Sequence, residues 1–401
     1  DPATGVVTFK PLPTFTGTAT PVTVKLTAIL GTDANNANIT ATATATYTPT
    51  VVPVTPTAVA SQTTGPQGKA QTSAIKFDAA DTDDTTVNFA KGTVSIDANT
   101  TKSVDLNTAS VTLLNANGDA VTSVTVENEG TYTIDPATGV VTFKPLPTFT
   151  GTVTKPVSVR IADANGTTVT TTYTPTVTDV TMTAKNATSK DVQGKTQTGT
   201  PGFETSDPSV TIATRQLIDP STMQPTTSVT IANEGTYTIE PTTGLVTFVP
   251  DPSYKKKGTG VTVQATDSNG ETSTATYTPT VTPVSLTSTN VTSKDIQGAE
   301  QEGTPTFALS DGAEATTTIT GYKLVDPTTG QATDETSVVV QSVGTYTIDS
   351  TTGKVTFQPD GAYKGTPDAI KVEATATVKN AKNETASITK EATYTPTVIP
   401  V

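Results

Sequence analysis

The feature that most constrains this chain is that it repeats itself. The segment GTYTIDPATGVVTFKP at Gly130 to Pro145 returns as GTYTIEPTTGLVTFVP at Gly235 to Pro250 and as GTYTIDSTTGKVTFQP at Gly344 to Pro359. Self-similarity at a regular interval points to a string of like units. Residues Asp1 to Pro11 read as the tail of a fourth copy, so the chain begins mid-module. A second anchor, TYTPTV, stands at Thr46 to Val51, Thr172 to Val177, Thr276 to Val281 and Thr393 to Val398. The acidic anchors Asp1, Asp135, Glu240 and Asp349 lie 134, 105 and 109 residues apart, the size of one small domain. This spacing predicts beads in a row rather than a solenoid.

Three modules are expected, at 52–177, 178–281 and 282–398, preceded by the C-terminal part of a module at 1–51 and followed by a linker at 399–401. Val52-Pro53-Val54, Thr282-Pro283-Val284 and Ile399-Pro400-Val401 follow three of the TYTPTV anchors, and such Pro-containing segments favour an extended, stiff backbone. Within a module the strands announce themselves by alternation. Tyr132 and Ile134 alternate with Thr131 and Thr133, and Asp135 to Gly139 then turns the chain into Val140-Val141-Thr142-Phe143, which reads as a β-hairpin. Val157, Val159 and Ile161 repeat the pattern, as do Val22, Val24 and Leu26, so one face of each strand is expected in a core. Asp163-Ala164-Asn165-Gly166 and Asp267-Ser268-Asn269-Gly270 carry the Asn-Gly chemistry of a tight turn. Where Asp33-Ala34-Asn35-Asn36 and Asn380-Ala381-Lys382-Asn383 replace it, the anchor-to-tyrosine spacing grows to 46 and 45 positions from 38 and 37, which predicts longer terminal hairpins.

Composition agrees with an all-β chain: Thr supplies roughly a quarter of the 401 residues, and β-branched side chains suit a half-buried pleated surface. The fold class expected is a tandem array of antiparallel β-sandwich, Ig-like modules of about 105–125 residues, each with about seven short strands. Leu, Ile, Val and Phe together make up about 81 residues, close to the roughly 20% below which charged chains stay disordered. The upstream half of module 52–177, acidic and poor in large apolar residues, is therefore the expected weak point. Composition also excludes. The net charge of −13 disfavours nucleic acid as a partner, and no run of residues is apolar enough to span a membrane. With no His and no Cys, the chain lacks an imidazole base, a thiolate nucleophile and the usual zinc ligands. No enzyme activity and no cofactor are expected.

The recurring GTYTIDPATGVVTFKP, the aromatic-x-Gly segments at Phe149-Thr150-Gly151 and Tyr363-Lys364-Gly365, the Asp-Ala-Asn-Gly hairpin and the closing TYTPTV resemble the CshA-type fibril repeats of streptococcal cell-surface adhesins. The upstream segments SKDVQGKTQTGTP at Ser189 to Pro201 and SKDIQGAEQEGTP at Ser293 to Pro305 fit as well, with a weaker version around Gly65-Pro66-Gln67-Gly68. The resemblance covers essentially the whole chain. It implies a non-catalytic stalk on the surface of a Gram-positive bacterium, anchored to the cell wall and carrying a ligand-binding N-terminal region away from the cell. Partners are then neighbouring repeats of the same chain, and host ligand contacts belong to regions outside this segment. The alternative is that repeat faces, or the longer hairpins around Asp33 and Lys382, themselves bind host glycan, host protein or a neighbouring fibril.

Each sharper reading meets a plainer one. Calcium could use the Asp78, Asp81, Asp83 and Asp84 cluster or the Asp-x-Asn-Gly turns, but the cluster does not recur and such turns need only backbone geometry. Isopeptide crosslinks would need a buried lysine in every module; Lys190 and Lys294 match in place, but Thr64 stands there in module 52–177. Asp135, Glu240 and Asp349 recur singly at a turn, so paired-carboxylate glycosidase chemistry is not expected. The residues expected to carry each module are structural: Tyr132, Gly139, Phe143 and Tyr173; Tyr237, Gly244, Phe248 and Tyr277; Tyr346, Gly353, Phe357 and Tyr394.

Overall fold

The structure is a computed structural model that describes residues 1–53, 55–78, 93–97, 100–103 and 106–401. Two compact units are present, Asp1–Val180 with Asp207–Val210, and Thr181–Ser206 with Thr211–Val401. The chain is all-β, and its clearest module lies in the second unit. Its strands are β1 (Met182–Lys185), β2 (Ala187–Val192), β3 (Gln197–Gly199), β4 (Gly202–Thr205), β5 (Ile212–Ile218), β6 (Pro225–Thr226), β7 (Ser228–Ile231), β8 (Gly235–Ile239), β9 (Val246–Pro250), β10 (Val261–Asp267) and β11 (Thr272–Thr282). They form one sheet in the order β2-β11-β10-β5-β6, a facing sheet in the order β3-β9-β8-β7, and a β1-β4 pair.

The alternation read from the sequence decides which side chains face inward. In β10, Val261, Val263, Ala265 and Asp267 are buried while Thr262, Gln264 and Thr266 are half-buried. In the β8–β9 hairpin Tyr237 stands opposite Phe248, so the two aromatic rings share one face and meet the other sheet as a single core. The same arrangement is rebuilt in module 282–398, where Tyr346 pairs with Phe357, and in module 52–177, where Tyr132 pairs with Phe143. Each module has its own cluster of buried residues.

Two features differ from the sequence expectation. Not every pairing is antiparallel: β2 runs parallel to β11, with Ala187 opposite Tyr277 and Val192 opposite Thr282. Ser61–Pro66 and Val291–Ile296 pair in parallel with the last strands of their modules. A first strand that moves from the β4 side of the sandwich to the edge beside the last strand arrives running the same way as that strand. The second difference is in 1–51, where Val22–Thr32 pairs with Asn38–Tyr47 but Leu26 is 67% exposed and Val22, Ile29 and Leu30 are exposed with it. In the other modules the matching face is covered by the hairpin sheet, of which 1–51 holds no complete copy.

The longer hairpins are evident. Ile370–Lys379 and Thr385–Ile399 have 10 and 15 residues, against 7 and 11 for β10 and β11. The acidic cluster of Asp78, Asp81, Asp83 and Asp84, in the expected weak point, lies outside the described residues except for the backbone of Asp78. No helix among the described residues is long and apolar enough to cross a membrane.

Candidate functional site

The aromatic residues that recur from module to module are directed inward, so the site is built around the tyrosines. Tyr132, Tyr173, Tyr237, Tyr277, Tyr346 and Tyr394 are all buried, as are Phe143, Phe248 and Phe357. In each module the hairpin tyrosine packs against the phenylalanine with ring centroids 4.6, 4.4 and 4.5 Å apart. It meets the terminal tyrosine edge-on at 6.0, 6.2 and 6.3 Å, the geometry that ring quadrupoles favour.

The terminal tyrosine needs a partner for its hydroxyl, and each module supplies one from the parallel strand. Tyr277 Oη lies 2.7 Å from Ser189 Oγ, which donates to Gln197 Oε1 at 2.6 Å, and Gln197 Nε2 donates to the Thr280 carbonyl at 3.0 Å. Because the Ser189 hydroxyl has one proton and gives it to the glutamine, the tyrosine must be the donor to Ser189. The same relay runs through Tyr173, Thr63 and Gln71 and through Tyr394, Ser293 and Gln301. Burial raises the pKa of all three tyrosines, opposed by the hydrogen bond to Thr63, Ser189 or Ser293. Sequence reasoning did not single out these glutamines. The signal was a Ser/Thr and two Gln at steps of four, as in Ser189, Gln193 and Gln197.

The middle glutamine of that trio holds the joint. Gln193 Nε2 donates to the Pro252 carbonyl at 2.7 Å and Gln193 Oε1 accepts from Val284 N at 3.2 Å, while its own N–H donates to the Thr282 carbonyl at 2.9 Å. One buried side chain thus ties the loop between β9 and β10 to the segment that leads into the next module. Gln67 does the same with Pro147, Val180 and Thr178. Gln297 reaches the Gly361 and Ile399 carbonyls.

The glycines Gly139, Gly244 and Gly353 close the hairpin turns at φ of 68°, 76° and 75°, a region that side chains with a Cβ avoid. The acidic anchor organises each turn: Asp135 accepts from Ala137 N and Thr138 Oγ1, and the Thr138 hydroxyl lowers its pKa first of all. Glu240 is pulled down to about 2, chiefly by the side chain and backbone of Thr243. These carboxylates sit on separate turns and do not form an acid/base pair.

A second carboxylate, unremarked in the sequence, lies inside. Glu234 is buried and accepts from Tyr237 Oη at 2.5 Å, from Tyr254 Oη at 3.3 Å and from Thr259 Oγ1 at 2.7 Å. Burial pushes its pKa up, but the bonds from Tyr237 and Thr259 outweigh that and the net direction is down. Tyr254 is in turn pushed up to about 12 by burial and by the Glu234 charge. In module 52–177, Glu129 accepts from Thr154, whereas its Oε2 and Tyr132 Oη have no partner. In module 282–398 the position is Val343, and Tyr346 Oη is likewise unpartnered.

Among the described residues no group of three potential ligands could hold a metal. The Asp163 and Asp267 side chains accept the N–H groups of their own turns. Lys190 and Lys294 are exposed, so neither is placed for a buried crosslink.

Residues 53–177, 179–281 and 283–398 each match the family described as the surface adhesin CshA repetitive domain. No curated protein matches the chain. Among solved structures the chain is similar to the I9–I11 tandem of titin, at 9% identity over 86% of this chain and 100% of that one, with a TM-score of 0.29. It is similar also to mouse cadherin-23 EC22–24, at 12% identity over 87% and 100% with a TM-score of 0.29. Drosophila N-cadherin EC1–4 matches at 13% over 94% and 83%, with a TM-score of 0.23. Likenesses this distant carry no argument about function.

Proposed function

The chain belongs to the family of the surface adhesin CshA repetitive domain, and from that premise we propose that its modules are a non-catalytic stalk that carries a ligand-binding region away from the cell. Membership in a surface adhesin family makes the chain part of an extracellular, cell-surface protein. The finer setting, attachment to the wall of a Gram-positive bacterium, belongs to the proposal.

One observation carries the reading. Among the residues singled out, the aromatic and glutamine side chains that recur from module to module are turned toward a core or a joint: the tyrosine-phenylalanine pairs, the tyrosine relays and the glutamine clamps. A binding array repeats its contact residues on the outside, where a ligand can reach them. A spacer repeats what keeps each unit folded and attached to the next. Net charge of −13 favours solubility and mutual repulsion between stalks.

The test is a binding screen of the purified chain against host matrix proteins and a glycan array. The stalk reading predicts no saturable binding. Saturable binding that maps to a face of any module would replace it with the reading in which the repeats are themselves adhesive.

A further inference from the structure

The joint between modules 178–281 and 282–398, whose contacting residues all lie within the second compact unit, has a lock whose key residue differs from its counterparts elsewhere in the chain. Asp163, Asp267 and Asn380 occupy the same place, the first residue of the turn joining the last two long strands of a module. All three are buried, at 3%, 3% and 5% exposure. Each uses Oδ1 to accept the N–H groups two and four residues on: Asn165 and Thr167, Asn269 and Glu271, Lys382 and Glu384. The turn is therefore the same in all three, and the residues differ only in the second terminal atom.

In Asp163 and Asp267 that atom is Oδ2, buried and without a hydrogen-bond partner. In Asn380 it is Nδ2, because Oδ1 is committed to two N–H donors. Its two protons go to the Pro250 carbonyl of the preceding module at 2.9 Å and to Glu384 Oε2 at 2.7 Å. Three further contacts surround it. Lys382 Nζ donates to Thr236 Oγ1 at 2.6 Å, and Thr316 Oγ1 donates to the Gln193 carbonyl at 2.7 Å. Gly194, at φ 82°, leaves no room for a Cβ, which would lie 2.9 Å from the Lys379 carbonyl oxygen and from Val378 Cγ1.

We propose that Asn380 is a latch that locks module 282–398 onto module 178–281, and that the latch closes because an asparagine rather than an aspartate stands at this turn. An aspartate here keeps the turn but sets a carboxylate oxygen against the Pro250 carbonyl, two acceptors with no proton between them. The long hairpin around Lys382 is thereby assigned a partner inside the chain, and this assignment does not depend on the stalk reading.

The chain has no cysteine, so spin labels can be placed at will. The experiment uses the full chain with Met223→Cys and Val339→Cys, both exposed and one in each module, and measures the interspin distance distribution by pulsed double resonance. With Asn380 intact, one narrow distribution is expected. Asn380→Asp is expected to abolish the narrow component while circular dichroism stays native, and Lys382→Ala to remove part of it. Should Asn380→Asp fail to fold, Lys382→Ala carries the test alone. A distribution already broad with Asn380 present, or one left narrow by a folded Asn380→Asp or by Lys382→Ala, overturns the proposal.

Discussion

A tyrosine hydroxyl is the smallest place where the three modules part company. Tyr237 Oη is bonded to the buried Glu234, whereas Tyr132 Oη and Tyr346 Oη have no partner. Removing a hydrogen bond to a charged group costs about 1.5–3 kcal/mol, so Tyr237→Phe should lower the stability of module 178–281 by that order. Tyr132→Phe and Tyr346→Phe should be within about 1 kcal/mol of neutral, or stabilising, since each deletes a buried orphan. Denaturant melts of the three variants check the contrast. The pH dependence follows from the same groups. Burial raises the pKa of Tyr132, Tyr173, Tyr237, Tyr277, Tyr346 and Tyr394, so above about pH 10 the unfolded chain loses protons that the folded chain keeps, and stability falls as pH rises. Glu234 acts with the opposite sign. Its folded pKa is lowered, so its contribution is present above the ordinary carboxylate range and is lost as pH falls through the folded value. Melting temperature against pH should therefore drop at both ends, and Glu234→Gln should flatten the acid limb.

At the scale of turns and joints, the Gly353 position should be less tolerant than the Gly244 position. Alanine there meets the left-handed penalty of roughly 1–2 kcal/mol, and its Cβ would lie 3.0 Å from the Tyr322 ring. At Gly244 the obstacle is the Arg215 side chain, which can swing away by giving up its exposed bond to the Thr242 carbonyl, so Gly244→Ala should cost little beyond the conformational penalty in a thermal melt. Gln193→Ala should cost more than a surface substitution, about 1–3 kcal/mol, because it strands the Pro252 carbonyl and the Val284 N–H, with faster hydrogen exchange at Val284 as the readout. These elements also show what could be read in advance. The hairpin from Tyr132 to Phe143 was legible because alternation and turn chemistry are local. The parallel pairing of Ala187–Val192 with the last strand was not, since alternation names the buried face of a strand but not its neighbour or direction. Gln67 and Gln193 stood in the recurring Gln-Gly segment without a role, and Gln197 was not singled out, because a glutamine in a Thr-rich segment reads as surface, and only the fold reveals the carbonyls around it. Asn380 was noticed as a longer hairpin, but a sequence cannot tell that its amide meets Pro250.

For the whole molecule, the account is that repetition builds reach: each module closes its own aromatic core, and glutamine clamps and at least one latch pass the chain from one core to the next. Strand lengths of about 17–20 Å plus loops put a module at roughly 40 Å, so three modules in line would reach about 120 Å. Small-angle scattering from the purified full chain tests this most directly. The stalk account predicts a skewed distance distribution with a long tail to at least that length. The symmetric distribution of a compact globule, or the featureless profile of a random coil, would contradict it.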